Sequence, residues 1–237
     1  MTGPDRGRPA AVSVNQPRSP FGKPLSIAVA GLGTVGAGVL HLLSANADII
    51  AARAGRPIIV SAVSARDRSR DRGVKLDAVR WYDDPVALAT DPGTDVVVEL
   101  IGGSDGPARA LVEAAIAAGK PVVTANKALL AVHGAVIAEQ AEAAGVPLAF
   151  EAAVAGGIPA IKGLREGMAA NRILRVAGIL IGTCNYILTV MREHKREFAE
   201  VLAEAQQLGY AEADPSFDVD GVDAAHKLAI LAALAFG

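Results

Sequence analysis

The sequence has little of several features that would narrow its function. It contains one cysteine, Cys184, and four scattered histidines, so an internal disulfide is excluded and no transition-metal cluster is expected. Aromatic residues make up 4% and the formal net charge is -2, which gives no basic patch for nucleic acid or an anionic membrane. The apolar run at residues 228–236 is about half of the roughly 20 residues of a bilayer span, and no apolar signal-peptide core is present at the N-terminus. We expect a cytoplasmic protein.

What the chain has is apolar content, at 51%, which is ample for a buried core. The exception is residues 1–24, which are rich in Pro, Gly, Arg and Ser and have no hydrophobic periodicity. Such a segment cannot bury enough surface to offset its ordering entropy. We predict a flexible tail, with a basic arm that contacts a partner as the alternative.

An apolar run at residues 26–30 opens directly into Gly-Leu-Gly-Thr-Val-Gly and then into a helix-like segment. In such a turn the first glycine permits tight reversal, the second lets the backbone approach a pyrophosphate, and the third lets the helix pack closely. Free N–H groups at the helix start would hold the pyrophosphate. The alternative is an ordinary Gly-rich turn. The predicted cofactor residues here are Gly31, Gly33, Thr34, Val35 and Gly36.

Strand-like and helix-like segments then alternate along the chain. Strands are predicted at residues 26–30, 57–63, 95–101, 121–124 and 147–150, and helices at 35–43, 107–118 and 128–144. This alternation predicts a doubly wound parallel sheet of the Rossmann type. Ligands of such sheets bind beyond the carboxyl ends of the strands, which is where Gly102 and Lys127 fall. A solvated lysine is the alternative for Lys127.

The residues that follow the second strand bear on cofactor choice. A carboxylate there usually holds the ribose 2′-hydroxyl of NAD, whereas an arginine accommodates the 2′-phosphate of NADP. The first charged residue is Arg66, so NADP is predicted. Asp67 follows at once and keeps NAD as an alternative, and a solvated charge run is a third interpretation.

The remainder of the chain departs from this alternation. Residues 151–159 form a Gly-rich elbow whose exposed carbonyls would suit a hard cation, and a helix is predicted from there to about residue 168. A strand is predicted at residues 173–181, followed by a helix with Thr183 as its side-chain N-cap. We expect Cys184 to be a small buried apolar residue.

A last, strongly apolar helix is predicted at residues 221–236. Asp223 and Lys227 are four residues apart and therefore share one of its faces. Such a pair is usually a surface ion pair of little energetic value. Because its flanks are apolar almost all round, we interpret the pair as facing a cleft.

Six motifs and this residue pair occur in the order of one family. They lie at residues 31–36, 98–103, 124–127, 151–159, 182–188 and 209–215, followed by Asp223 and Lys227. From about residue 25 to its end the chain resembles a homoserine dehydrogenase. The resemblance implies an NAD(P)-binding domain at residues 25–150 and part of an α+β catalytic domain at residues 151–237.

The implied reaction is reversible hydride transfer between C4 of the nicotinamide and the aldehyde carbon of L-aspartate 4-semialdehyde, giving L-homoserine. This reaction belongs to the branch that leads to threonine, methionine and isoleucine. An ammonium group can stabilise the alkoxide and deliver its proton. We assign that role to Lys227, which Asp223 would orient.

Lys127 is the second candidate for proton donor, because no carboxylate stands near it in sequence. Asp223 would also help to hold the amino group of the substrate, which the loop carboxylate of Glu212 would bind. The turn with Thr183 would line the crevice between the domains. The resemblance also implies a structural sodium ion, distant from the chemistry, at Glu151, Val154, Gly156 and Ile158.

The family's catalytic domain continues past the point where this sequence stops. The resemblance implies a homodimer when the chain is full length, and we expect this chain by itself to be weakly active or inactive. One alternative is another semialdehyde or amino-acid dehydrogenase on the same scaffold, which should lack the set of Glu212, Asp223 and Lys227. The other is a fragment that binds NADP without turnover.

Overall fold

The computed structural model describes residues 22–237, and within them six strands form one parallel sheet. The strands are β1 (Leu25–Ala30), β2 (Ile58–Ser64), β3 (Arg80–Tyr82), β4 (Val96–Glu99), β5 (Val122–Thr124) and β6 (Leu148–Ala149). Their spatial order is β3-β2-β1-β4-β5-β6, with every pairing parallel. The predicted doubly wound α/β fold is confirmed. The predicted tail lies outside the described residues as far as residue 21.

Helices connect the strands and continue beyond the sheet. They are α1 (Thr34–Ala45), α2 (Ala47–Ala54), α3 (Pro85–Ala89), α4 (Pro107–Ala117), α5 (Lys127–Ala144), α6 (Ala160–Lys162), α7 (Gly182–His194), α8 (Phe198–Gln207), α9 (Ser216–Val219) and α10 (Val222–Phe236). Helix α5 shows why these segments are helical. The Asn126 side chain accepts the N–H of Leu129 at 3.1 Å, and Gly145 ends the helix with a φ of 67°. Both are standard solutions for the unpaired groups of helix ends.

Alternate side chains of β1 enter two separate cores. Ile27 and Val29 pack with Leu40 of α1 on one face of the sheet. Ala28 and Ala30 belong to the other core, which includes Leu111 of α4 and buried residues of α3 and α5. Because successive side chains of a strand point to opposite faces, this arrangement makes β1 the buried centre of the sheet.

Helix α10 is attached to the second of these cores. Its buried residues Ile230 and Leu231 join the same cluster as Ile137 of α5. Helices α7 and α8 instead pack on each other around Ile187 and Val201, in a small core of their own. The last helix is therefore fixed to the sheet side of the molecule, although it lies far from the sheet in sequence.

The strand predicted at residues 173–181 is wrong. Residues 172–181 have no regular secondary structure, and Leu174 and Ile179 are 82% and 77% exposed. A strand is stabilised by hydrogen bonds to a neighbouring strand. Within residues 22–237 no strand lies beside this segment, so its β-type composition is not realised.

Three smaller differences have local causes. Strand β4 ends at Glu99 instead of continuing to residue 101, because the Glu99 carboxylate accepts the next free N–H groups itself. The helix predicted up to residue 168 is α6 followed by a π-helical turn, Gly163–Gly167. The N-cap of α7 is Ile181, with no side-chain cap, so the prediction for Thr183 as N-cap is wrong.

In the described part of the chain, no single helix is both long and apolar enough to cross a membrane. Helices α1 and α2 pass that test only when they are taken together, and the angle between them is 80°.

Candidate active site

The site lies where the order of the strands reverses. The chain runs outward from β1 to β3 and then returns to β4 on the other side of β1. Loops at the carboxyl ends of β1 and β4 therefore diverge and leave a crevice, which is the usual ligand position in such sheets. The glycine turn after β1 and the Gly102-Gly103 turn after β4 stand at this point.

The three glycines of the first turn do different things. Gly31 has a φ of 96°, and a Cβ atom on it would overlap the carbonyl of Leu100. A Cβ atom on Gly36 would overlap the carbonyl of Gly31. Gly33 has no atom within 4 Å of the Cβ position. The first and third glycines thus let the turn close, and the second leaves open space above the turn.

The start of α1 is free to hold an anion. Its N-cap, Gly33, provides no side-chain hydrogen bond, and no acidic residue stands in the first turn. Thr34 and Val35 are exposed there. Unpaired N–H groups and the positive end of the helix dipole are what a pyrophosphate requires.

Two residues of the loop after β2 are candidates for contact with the ribose of the cofactor, and their contacts differ. Arg66 is exposed and has no ion-pair partner among residues 22–237. The Asp67 carboxylate instead accepts the backbone N–H and the hydroxyl of Ser69, at 2.9 and 2.7 Å. These bonds, the hydroxyl bond above all, hold the pKa of Asp67 below its ordinary value. Asp67 is thus engaged within its own loop.

Arg72 is a residue that the sequence analysis missed. Its Nε donates to the carbonyl of Leu32 in the glycine turn at 3.0 Å, and its guanidinium also donates to the carbonyl of Asp67. The guanidinium groups of Arg72 and Arg68 lie 5.6 and 5.7 Å from the ring centroid of Trp81. Arg72 joins the loop after β2 to the glycine turn, and no local sequence pattern signals a contact over forty residues.

Asp223 is the centre of the second part of the site. It is only 3% exposed, at the start of α10. Lys227 Nζ is 2.6 Å from Asp223 Oδ2, and Lys127 forms an ion pair with Oδ1. No carboxylate stands near Lys127 in sequence, so this partner was not visible before the structure. The fold gives both lysines the same carboxylate.

The two lysines differ in their other contacts. Lys227 Nζ donates to the carbonyl of Leu180 at 2.8 Å. Lys127 Nζ lies 5.3 Å from the ring centroid of Phe217 and is the more exposed of the two. Burial raises the pKa of Asp223, but the hydrogen bonds and charges of the two lysines outweigh burial, so this pKa lies below its ordinary value. The cluster of one carboxylate and two ammonium groups carries a net positive charge, which suits a developing alkoxide.

These lysines border a cavity of about 530 Å³. The lining residues are Gly102, Gly103, Ala125, Asn126, Lys127, Ala128, Ala152, Ala153, Ala155, Gly156, Phe217 and Lys227. The cavity lies between the turn after β4, the start of α5, the elbow after β6, and helices α9 and α10. Sequence-predicted residues for cofactor and catalysis, Gly102, Lys127 and Lys227, therefore meet in one place.

Other predicted residues lie away from this cavity. The side chain of Glu212 is exposed on the loop before α9, and its carbonyl accepts a hydrogen bond from Gln206 at 3.0 Å. The Thr183 hydroxyl donates to the carbonyl of Tyr210 at 2.7 Å and so fixes that loop to α7. Cys184 is half-buried, and burial raises the pKa of its thiol, which opposes reactivity.

The elbow at residues 151–159 contains the oxygen atoms predicted to bind sodium, but some of them already accept hydrogen bonds within the chain. The Glu151 carboxylate accepts the N–H groups of Ile161 and Lys162 at 3.0 and 2.9 Å, and the Ile158 carbonyl accepts that of Ala160 at 2.8 Å. Glu151 thus caps α6 in this structure. Gly156 borders the cavity, and the Val154 side chain is buried. The sodium site at these residues stays a prediction.

Comparison with known proteins assigns the family. Residues 31–151 match the family model "Homoserine dehydrogenase, NAD binding domain", and residues 159–237 match the model "Homoserine dehydrogenase". The chain belongs to the homoserine dehydrogenase family. The resemblance inferred from the six motifs is confirmed.

Relatives from this family are similar over most of the chain. The homoserine dehydrogenase of Pseudomonas aeruginosa is 56% identical over 217 residues, which is 91% of this chain and 49% of the relative. That of Neisseria gonorrhoeae is 53% identical over 215 residues, with the same two shares. A crystal structure of the homoserine dehydrogenase from Thiobacillus denitrificans has a TM-score of 0.83 at 53% identity and also covers 91% of this chain and 49% of that one. The chain thus spans about half the length of the relatives that it matches.

Proposed function

We propose that this chain forms the cofactor crevice and the proton-transfer site of an NADP-dependent homoserine dehydrogenase. The main support for this proposal is the buried Asp223 carboxylate, with which Lys127 and Lys227 form ion pairs at the border of the cavity. Family membership supplies the reaction, the interconversion of L-homoserine and L-aspartate 4-semialdehyde. The nicotinamide, when bound, supplies the hydride. The cytoplasmic location and the place in threonine, methionine and isoleucine biosynthesis follow as expectations.

The chain's own residues would act on the oxygen of the substrate. Reduction of the aldehyde places negative charge on that oxygen, and an ammonium group near it stabilises the charge and donates a proton. Lys227 remains our choice as donor, because its contacts with Asp223 and the Leu180 carbonyl fix Nζ at the cavity wall. Lys127 begins α5 beside the Gly102-Gly103 turn, which supports a role near the nicotinamide. Asp223 orients both.

NADP is the proposed cofactor, with NAD as the alternative. Asp67, the carboxylate after β2 that keeps NAD as an alternative, accepts hydrogen bonds from Ser69. Arg66 is exposed at the same end without an ion-pair partner in the described chain, which supports its assignment to a 2′-phosphate. Glu212 and Thr183 remain proposed substrate residues, on the family resemblance alone.

A cofactor-binding fragment without turnover is the second candidate. The chain covers 49% of the Pseudomonas aeruginosa relative, and the exposed segment at residues 172–181 has no neighbouring strand in residues 22–237. The deciding measurement is NADP-dependent oxidation of L-homoserine by the 237-residue chain, beside a version extended to the length of its relatives. We expect weak or absent turnover in the short chain. Robust turnover by it would rule out the fragment.

The choice of proton donor is tested by Lys227→Ala and Lys127→Ala in the version that turns over. A donor used in the transition state lowers kcat and kcat/KM together, whereas a cofactor contact mainly raises the cofactor KM. We expect Lys227→Ala to lose about a hundredfold or more in kcat with nearly unchanged NADP binding, and Lys127→Ala to raise the KM for NADP. Lys162→Ala, at an exposed lysine, is the control. If the two signatures are exchanged between the lysines, so are their roles.

A further inference from the structure

We propose that Glu99 is a positioning residue, whose buried carboxylate sets the geometry of the two loops that carry Gly102 and Lys127. Glu99 is the last residue of β4 and is fully buried. It has no ion-pair partner in the part of the chain that the structure describes. A buried carboxylate is costly unless hydrogen bonds compensate for its lost hydration. What compensates for it here is the backbone of one loop and a hydroxyl beside the other.

The first contact is with the loop after β4. Glu99 Oε1 accepts the N–H of Ile101 at 2.8 Å and that of Gly102 at 3.0 Å. These two bonds turn the chain back over the end of its own strand. They fix the backbone at Gly102, which has a φ of 84° and lines the cavity.

The second contact is with the loop after β5. The register of the parallel strands places Thr124 beside Glu99, and the Thr124 hydroxyl donates to Glu99 Oε2. Thr124 Oγ1 in turn accepts the N–H of Asn126 at 3.0 Å. A hydroxyl can donate once and accept as well, so Thr124 transmits the position of the carboxylate to the residue that precedes Lys127.

Asn126 connects the loops after β4 and β5 directly. Its Nδ2 donates to the carbonyl of Gly103 at 2.7 Å, while its Oδ1 accepts the N–H of Leu129 and caps α5. The loops after β4 and β5 are thereby tied to each other as well as to Glu99. Since α5 begins at Lys127, one buried carboxylate orients both the proposed cofactor turn and a proposed catalytic lysine.

The expected loss of cofactor affinity rests on the proposed function, whereas the positioning of the loops does not. The test therefore includes one measurement made without cofactor. Thr124→Val is the main variant, because it removes the hydroxyl at nearly constant volume and leaves the carboxylate in place. Thr124→Ser keeps the hydroxyl and is the rescue. Glu99→Gln replaces the carboxylate oxygen beside Thr124 by an amide NH₂, which cannot accept the Thr124 hydroxyl. Because both substitutions remove this same hydrogen bond, their effects should not add in the double variant.

Thr94→Val is the matched control. Thr94 is a threonine buried to a similar degree, 4% exposed against 1% for Thr124, and its hydroxyl lies 3.4 Å from a carboxylate oxygen of Asp91. It precedes β4 and therefore lies at the opposite end of the sheet from the crevice. The same substitution at both ends separates a general loss of stability from a loss of loop geometry.

Without cofactor, we measure amide hydrogen exchange of Ile101, Gly102 and Asn126. We expect Thr124→Val and Glu99→Gln to speed exchange about tenfold or more at these sites, which is the effect of one lost buried hydrogen bond. Thr94→Val should leave them unchanged. With cofactor, we expect the Kd for NADPH to rise about tenfold in the first two variants and to change less than about twofold in Thr124→Ser and Thr94→Val.

The outcomes separate the two proposals. If Thr124→Val lowers stability as Thr94→Val does, with loop exchange and NADPH affinity unchanged, Glu99 serves only the sheet and the inference is overturned. If the unsubstituted chain does not bind NADPH, the proposed function fails, while the exchange measurement still decides whether Glu99 positions the loops.

Discussion

The sheet region, residues 25–150, and the helical region after it differ in how much of their apolar surface they bury by themselves. The first pairs every strand with a neighbour and buries both faces of the sheet. The second has only a small core of its own, around Ile187, and exposes Leu174 and Ile179 on an unpaired segment. The proposed chemistry lies where they meet, because α10 packs on α5 and brings Asp223 to Lys127. The sheet region thus forms the crevice from its own strands and loops, whereas the helical region depends on the packing of α10 against α5.

The glycine turn tests how tightly the sheet region is packed. A Cβ atom on Gly36 would overlap the carbonyl of Gly31, whereas Gly33 has open space. We expect Gly36→Ala to lower the free energy of unfolding by at least about 2 kcal/mol and Gly33→Ala by less than about 1 kcal/mol. Gly33→Ala should still weaken NADP binding, because its methyl group occupies the space above the turn. Chemical denaturation and cofactor titration measure both; equal stability of the two variants would contradict the assigned roles.

The next effect tests the junction of the regions. The pKa of Asp223 is lowered in the folded chain, so its pairing stabilises the fold fully above the unfolded value of about 4, and this contribution is lost as pH falls through the folded pKa. Because the lysines are partly exposed, we expect Asp223→Asn to cost about 1–3 kcal/mol at pH 7.

The cost of Asp223→Asn should shrink below about pH 4, because the carboxylate of the unfolded chain is protonated there first and that of the folded chain only as pH falls through its lower pKa. Unfolding by urea at pH 7, 5 and 3 measures it. A cost that is the same at all three pH values would show that the ion pairs do not couple α10 to α5.

A smaller effect concerns the cofactor end of the sheet region. We expect Arg66→Ala to lower the ratio of NADP to NAD affinity about tenfold, the scale of one charge-assisted contact to a phosphate. Arg53→Ala, at an exposed arginine in the last turn of α2, should leave the ratio unchanged. An unchanged ratio in Arg66→Ala would make Arg66 a solvated loop residue.

A substitution in the exposed segment should have little effect on stability. Ile179 is 77% exposed and Ile187 is 2% exposed, so the same substitution tests both environments. We expect Ile179→Ala to change the free energy of unfolding by less than about 0.5 kcal/mol and Ile187→Ala to cost about 2–4 kcal/mol. A large cost for Ile179→Ala that depends on protein concentration would show that a second copy covers the segment.

Features that depend on neighbouring residues in the chain could be predicted before the structure. The alternation of strand-like and helix-like segments predicted five of the six strands and the doubly wound sheet, and the spacing of Gly31, Gly33 and Gly36 predicted the turn. The pair of Asp223 and Lys227 was visible because a helix repeats about every four residues. Where a local rule needed a distant partner, as for the strand at residues 173–181, the prediction failed.

Contacts between residues that are distant in sequence became visible with the folded chain. It joined Lys127 to the carboxylate of Asp223 and Arg72 to the glycine turn. It also placed the Glu99 carboxylate against the Thr124 hydroxyl, through the register of β4 and β5. These contacts depend on how strands and helices pack against one another, and packing is set by the whole core and not by any one segment.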